Sequence, residues 1–105
     1  NIVNTPLPAG CGSETFRASV SRDWLPALAA HRPDLILVSA GFDAHRLDPL
    51  AELRLDEADF RWVTRLIVEA ADEYAEGRVV STLEGGYDLA ALAVSVAAHL
   101  EALTA

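Results

Sequence analysis

No lysine and no methionine occur in this chain, and there is a single cysteine. The missing lysine excludes Schiff-base chemistry and a Walker A phosphate site. The lone Cys11 excludes an internal disulfide. It stands in AGCGS with no histidine or basic residue beside it to activate it, so it reads as an incidental thiol in a reducing compartment. Basic charge is scarce as well: all eight basic residues are arginines, set against sixteen acidic ones, for a formal net charge of −8. That balance gives no footprint for nucleic acid and no attraction to an anionic membrane surface. It suits solubility and would not repel a cationic substrate. No apolar run approaches the roughly 18–20 residues of a membrane span. The opening NIVNTPLPAG has neither the basic start nor the apolar stretch of a signal peptide. With no initiator methionine, the chain is expected to be a fragment or a processed product.

What is present is enough for one small packed domain: 105 residues, 51% of them hydrophobic. Ser13 is the expected N-cap of a first helix, in which Phe16, Val20, Trp24, Leu25 and Leu28 recur at helical spacing. Pro26 should kink or restart that helix, and His31-Arg32-Pro33 should end it. Leu35 to Val38 is a short continuous apolar run, the pattern of a strand buried on both faces of a parallel sheet. Asp56, with Asp59 three residues on, predicts a capped second helix with Phe60, Val63, Ile67, Ala70, Ala71 and Tyr74 on its buried stripe and Gly77 as its stop. Residues 78–83, RVVSTL, read as a second strand. Asp88 then caps a third helix whose predicted stripe is Leu89, Leu92, Ala93, Val96, Ala97, Leu100 and Leu103. The alternation is that of a βαβ unit with flanking helices, hence an α/β fold with a parallel sheet. Two strands alone make an incomplete parallel sheet, so further strands are expected from other residues or another chain.

Ligands of open α/β sheets bind beyond the carboxyl ends of the strands. Two stretches fall there. In SAGFDAHRLDPL, spacing alone leaves Asp43, His45 and Asp48 as candidates for metal binding or proton transfer. An ordinary loop offers each another use: Asp43 accepting loop amides, Asp48-Pro49 making a turn, His45 exposed to solvent. In LEGGYDL, Gly85 and Gly86 allow close backbone approach and prepare a helix start able to hold negative charge. Tyr87 is placed either to donate a hydrogen bond to a substrate carbonyl and its oxyanion, or to pack its ring on the sheet edge.

SAGFDAHRLDPL followed by LEGGYDL, with NIVNTPLPAG ahead of them, resembles the C-terminal part of the zinc-dependent histone deacetylase superfamily. The likeness is to bacterial class II-like deacetylases, acetylpolyamine amidohydrolases and acetoin-utilisation-type proteins, and it spans nearly all of residues 1–105. It implies part of an open parallel-sheet arginase/deacetylase-type fold with helices on both faces, incomplete without upstream residues. The activity it implies is zinc-dependent hydrolysis of acetyl-amine amides, on acetyl-lysine or acetylpolyamine, in a cytoplasmic and bacterial protein. Asp43 matches an aspartate zinc ligand of the family, and Tyr87 the tyrosine that polarises the scissile carbonyl. Gly85 and Gly86 match glycines of the substrate channel, and Leu50 an apolar residue at its rim. Asp48 matches a turn position away from zinc, and His45 inherits no role. The family's catalytic histidine pair and Asp-x-His zinc ligands lie upstream of these motifs, and none of the chain's three histidines replaces them. The resemblance therefore implies that these residues alone neither hold one zinc tightly nor deacetylate, and that they pair with an N-terminal part or form a homo-oligomer. Two other readings stand beside it. One is a non-catalytic deacetylase-like fragment or binding module. The other is an arginase-like manganese ureohydrolase, whose loop resembles Asp-x-Asp-x-x-Asp-Pro where this chain has His45 at the middle position.

Overall fold

The computed structural model describes residues 1–105 and contains five elements, in the order that the patterning predicts: α1 (Ser13–His31), β1 (Ile36–Gly41), α2 (Glu57–Tyr74), β2 (Val79–Gly85) and α3 (Leu89–Thr104). The strands pair in parallel, Ile36 opposite Val79 through Ala40 opposite Leu83. Such pairing requires a long crossover, which α2 supplies. Both strands run further than the apolar runs suggest: β1 continues through Gly41 and β2 through Gly85, so both motifs begin on the strands themselves.

The start of α1 departs from expectation. Gly12, not Ser13, holds the N-cap position, with no side-chain cap. The Ser13 hydroxyl instead donates to Asp59 Oδ2 of α2 at 2.6 Å. Arg17 Nε donates to Asp59 Oδ1 at 2.8 Å, with its guanidinium over the Trp62 ring. Asp59 also closes the predicted capping box, accepting Asp56 N–H while Asp56 accepts Ala58 and Asp59 N–H. A fully buried carboxylate is tolerable only when its lone pairs meet donors, and here three donors from two helices meet it. Pro26 neither ends nor restarts α1, which continues to His31 and closes with Arg32 in the left-handed region, its N–H on Leu28 O. Gly77, at φ +76, supplies the predicted stop of α2.

The core gathers on one face of the sheet. Ala40, Phe42, Leu55 and Phe60 form its centre, joined by Phe16 of α1, Val38 of β1, and Leu92 and Val96 of α3. β1 alternates rather than being buried on both sides: Val38 and Ala40 face this cluster, while Leu37 is 71% exposed and Val80 of β2 lies open as well. The helices of this chain pack against the one face and leave the other uncovered.

The stripe expected on α3 is also corrected. Leu89, Ala93, Ala97 and Leu100 are exposed, and the buried face is Ala91, Ser95, Ala98, His99 and Ala102. That set still has helical spacing, but apart from His99 it is made of small residues, which let α3 lie close along α2. A helix apolar nearly all round does not announce which side it buries.

His99 is the polar centre of this packing. The Thr64 hydroxyl spends its proton on Phe60 O at 2.6 Å, so Thr64 Oγ1 accepts from His99 Nδ1 at 2.8 Å. The other ring nitrogen, Nε2, then accepts from Ser81 Oγ at 2.8 Å. One neutral imidazole ties α3 to α2 and β2, and Phe42 meets it edge-on at 5.6 Å between centroids. Burial holds its pKa below the ordinary 6.5. The unfolded chain therefore takes up a proton that the folded one refuses. This contribution to stability is complete above pH 6.5 and is lost as pH falls toward the depressed folded value. Urea titrations from pH 7.5 down should show stability declining below 6.5, and His99→Gln should flatten that decline.

Candidate functional site

Parallel pairing brings the ends of β1 and β2 to the same edge, and with them both motif loops. The register breaks there: Ala40 pairs with Leu83 but Gly41 with Gly85, so Glu84 is an extra residue on β2. Such bulges re-aim the residues that follow. Immediately beyond, Phe42 N–H donates to Gly85 O at 3.0 Å. Gly86 then lies directly on the Phe42–Asp43 main chain, at φ +120. A Cβ there would stand 3.2 Å from Phe42 Cβ and 3.4 Å from Asp43 N, so both the conformation and the space require glycine. Phe42 anchors the join from below, its ring edge-on to Phe60 at 5.1 Å and to His99.

Asp43 and Tyr87, the residues next to this join, are both exposed, Tyr87 at 75%. The Asp43 carboxylate takes part in none of the chain's ion pairs. The Tyr87 ring folds back over its own loop: a Cβ at Gly85 would lie 3.6 Å from the phenol oxygen. Leu50, 73% exposed, stands at the outer end of the Asp43 loop.

His45 and Asp48 turn inward. His45 is 1% exposed, against the expectation of an exposed loop histidine. Its Nδ1 accepts Leu47 N–H at 3.2 Å, which leaves the proton on Nε2 to donate to Glu57 Oε2 at 3.1 Å. The Glu57 carboxyl is held below its usual value first by a hydrogen bond from its own backbone N–H and then by His45. His45 thus fastens the Asp43 loop to the first turn of α2. The loop is also stitched to the segment before α2 by Arg46 N–H to Leu55 O at 2.7 Å and Leu55 N–H to Ala44 O at 3.1 Å. Asp48 makes the expected turn, accepting Leu50 N–H at 2.9 Å. It also reaches the other motif, with Oδ2 facing Tyr87 N at 3.5 Å. The start of α3 is not free to hold an anion, because Asp88 occupies it, accepting Ala91 N–H at 2.9 Å. No three His, Cys, Asp or Glu side chains of the chain stand close enough to hold a metal ion together.

Asp43, Gly85, Gly86 and Tyr87, expected at one sheet edge, lie there together. The burial of His45, whose partner Glu57 opens the next helix, and the contact made by the second oxygen of Asp48 were not expected. The signal for His45 was there: a histidine followed twelve residues later by an acid in the first turn of a capped helix.

The fold is that of known histone deacetylase domains. The HDA15 HD domain superposes with a TM-score of 0.86 at 31% identity, over 95% of this chain and 27% of that one. The histone deacetylase Clr3 gives 0.85 at 32%, over 95% and 16%. The histone deacetylase domain model matches residues 1–103. This chain belongs to the histone deacetylase family, and its α/β architecture is the arginase/deacetylase fold. Its relatives include the rice (Oryza sativa subsp. japonica) protein "Histone deacetylase 10, chloroplastic", 46% identical over 90% of this chain and 21% of that protein. They also include the "Histone deacetylase-like amidohydrolase" of Pseudomonas aeruginosa, 44% identical over 81% and 22%. The chain spans less than a quarter of the length of these two relatives. No helix in it is long and apolar enough to cross a membrane.

The Gly86 contact yields a direct test. Gly86→Ala should cost roughly 1–3 kcal/mol, because it adds a strained φ to a close approach. The check is the urea midpoint, together with amide shifts at Phe42 and Asp43.

Proposed function

We propose that this chain forms one side of a zinc-dependent amidohydrolase centre that removes acetyl groups from amines, with Asp43 as a metal ligand and Tyr87 as the carbonyl-polarising group. The observation that carries the reading is the main-chain join, Phe42 N–H to Gly85 O with Gly86 against Asp43, which sets an unpaired carboxylate and an exposed phenol at one sheet edge. The donor chemistry fits zinc in part. A carboxylate is a suitable ligand, and structural and catalytic zinc sites take three or four in all; the chain offers this one, and the remaining donors belong to residues outside it. When bound, zinc supplies an activated water and Lewis-acid polarisation of the amide carbonyl.

The chain's own residues then have distinct tasks. The Tyr87 hydroxyl donates to the carbonyl oxygen and holds it more strongly as negative charge develops there. Gly85 and Gly86 keep the wall beside it free of side chains, and Leu50 gives the rim an apolar surface suited to an alkyl chain such as that of acetyl-lysine or an acetylpolyamine. Neither His45 nor His99 serves as the base for water, since both nitrogens of each ring are already engaged. That base belongs with the missing ligands. The uncovered sheet face with Leu37 and Val80 suits packing against the rest of a longer polypeptide or a second copy.

In the complete polypeptide that carries this segment, Tyr87→Phe should lower kcat on an acetyl-lysine peptide by about 10²–10³-fold, the effect of deleting one oxyanion donor, and leave zinc content unchanged. Unaltered turnover would refute the role given to Tyr87. Asp43→Ala should lose zinc by atomic absorption, and stoichiometric metal in that variant would remove Asp43 from the ligand set. The 105 residues alone should hold no stoichiometric zinc and cleave no acetyl-lysine peptide.

A further inference from the structure

We propose that Asp48 is a positioning residue for Tyr87, fixing from the neighbouring loop the direction in which the phenol is presented. The inference rests on the catalytic reading of Tyr87 given above. Asp48 is 4% exposed, yet none of the chain's ion pairs includes it. A carboxylate withdrawn from water without a cation has to be held by N–H donors. Leu50 N–H satisfies Oδ1 at 2.9 Å, and that bond alone accounts for the turn. A serine would make a similar turn at less desolvation cost. What turn-making leaves unexplained is the second oxygen, which faces Tyr87 N at 3.5 Å, across 39 residues of sequence. An ionised carboxylate is the short side chain that accepts on both sides; an asparagine would set its NH₂ against one of the two N–H groups.

The placement matters because of what flanks Tyr87. On one side is Gly86 at φ +120, a residue with no Cβ to limit the main chain. On the other is Asp88, fixed by its cap on Ala91 N–H. Between Gly86, seated on the Phe42–Asp43 main chain, and a fixed helix start, the peptide N–H of Tyr87 is the group through which Asp48 acts on its orientation. Asp48 is the side chain facing that group. Its contact is longer than the turn bond, so it is the member of the pair most sensitive to substitution.

The test uses the complete polypeptide with Asp48→Asn and Asp48→Ser, each alone and combined with Tyr87→Phe. The serine variant keeps a turn acceptor for Leu50 but cannot reach Tyr87. Each single variant should lower kcat on an acetyl-lysine peptide by about tenfold, the rate equivalent of one hydrogen bond to a charged group, with KM and zinc content unchanged. In the Tyr87→Phe background neither should lower kcat further, because a group acting through the phenol has nothing left to position. Hydrogen exchange at the Tyr87 amide should quicken in both. An equal loss in both backgrounds, unchanged kcat, unchanged exchange or loss of zinc would overturn the proposal. So would unfolding of both variants, which would make Asp48 a structural residue. Failure of the underlying reading looks different: Tyr87→Phe alone would then keep full activity, whatever the exchange rates show.

Discussion

The hydrogen bond from Phe42 N–H to Gly85 O is the contact on which the rest of the edge depends. It closes the last rung between two parallel strands after a bulge has put them one residue out of step. Beyond it the strands end, and Asp43 and Tyr87 both lie within two residues of the rung. The interaction is ordinary in strength. Its importance lies in its support: the Phe42 ring is pinned between Phe60 and His99, and His99 is pinned by hydroxyls from α2 and β2. A buried polar network is costly when half satisfied and rigid when complete, and this one is complete at both ring nitrogens. The core beneath the edge is thus locked by polar geometry as well as by apolar area.

Much of this was legible in the sequence, for reasons that can be named. The order of elements follows from hydrophobic period and from the Asp56–Asp59 box, which are local signals. The meeting of SAGFDAHRLDPL with LEGGYDL follows from parallel pairing, which brings consecutive strand ends to one edge. Losses occur where a side chain answers to something distant. Ser13 has the chemistry of a cap, but a buried carboxylate 46 residues away offers its hydroxyl a better partner. His45 is on a polar loop, yet α2 presents Glu57 to it and the loop folds inward. On α3 the pattern was ambiguous by composition: leucines and alanines occupy every side, and close packing against α2 selected the small ones. The same selection leaves Leu89 and Leu100 outside.

The two acids of the Asp43 loop divide along the line between solvent and interior. Asp43 stays exposed and takes part in no ion pair of the chain. Asp48 is withdrawn and spent entirely on main-chain N–H groups. Identical chemistry five residues apart therefore meets opposite surroundings, and burial rather than spacing separates the two.

The contact between the two motifs is built from main-chain atoms and a missing Cβ. Its spacing is therefore set by the main chain and by the Phe42 ring beneath it, not by the exposed side chains of the loop. The side chains of Arg46, Leu47 and Leu50 are exposed on the same loop and take no part in the join, so they can be exchanged without touching the frame that brings the two loops to one edge. For an engineer, this separates two problems that are usually entangled. These exposed positions can be randomised as a library, while Phe42, Gly85 and Gly86 are held constant as the frame.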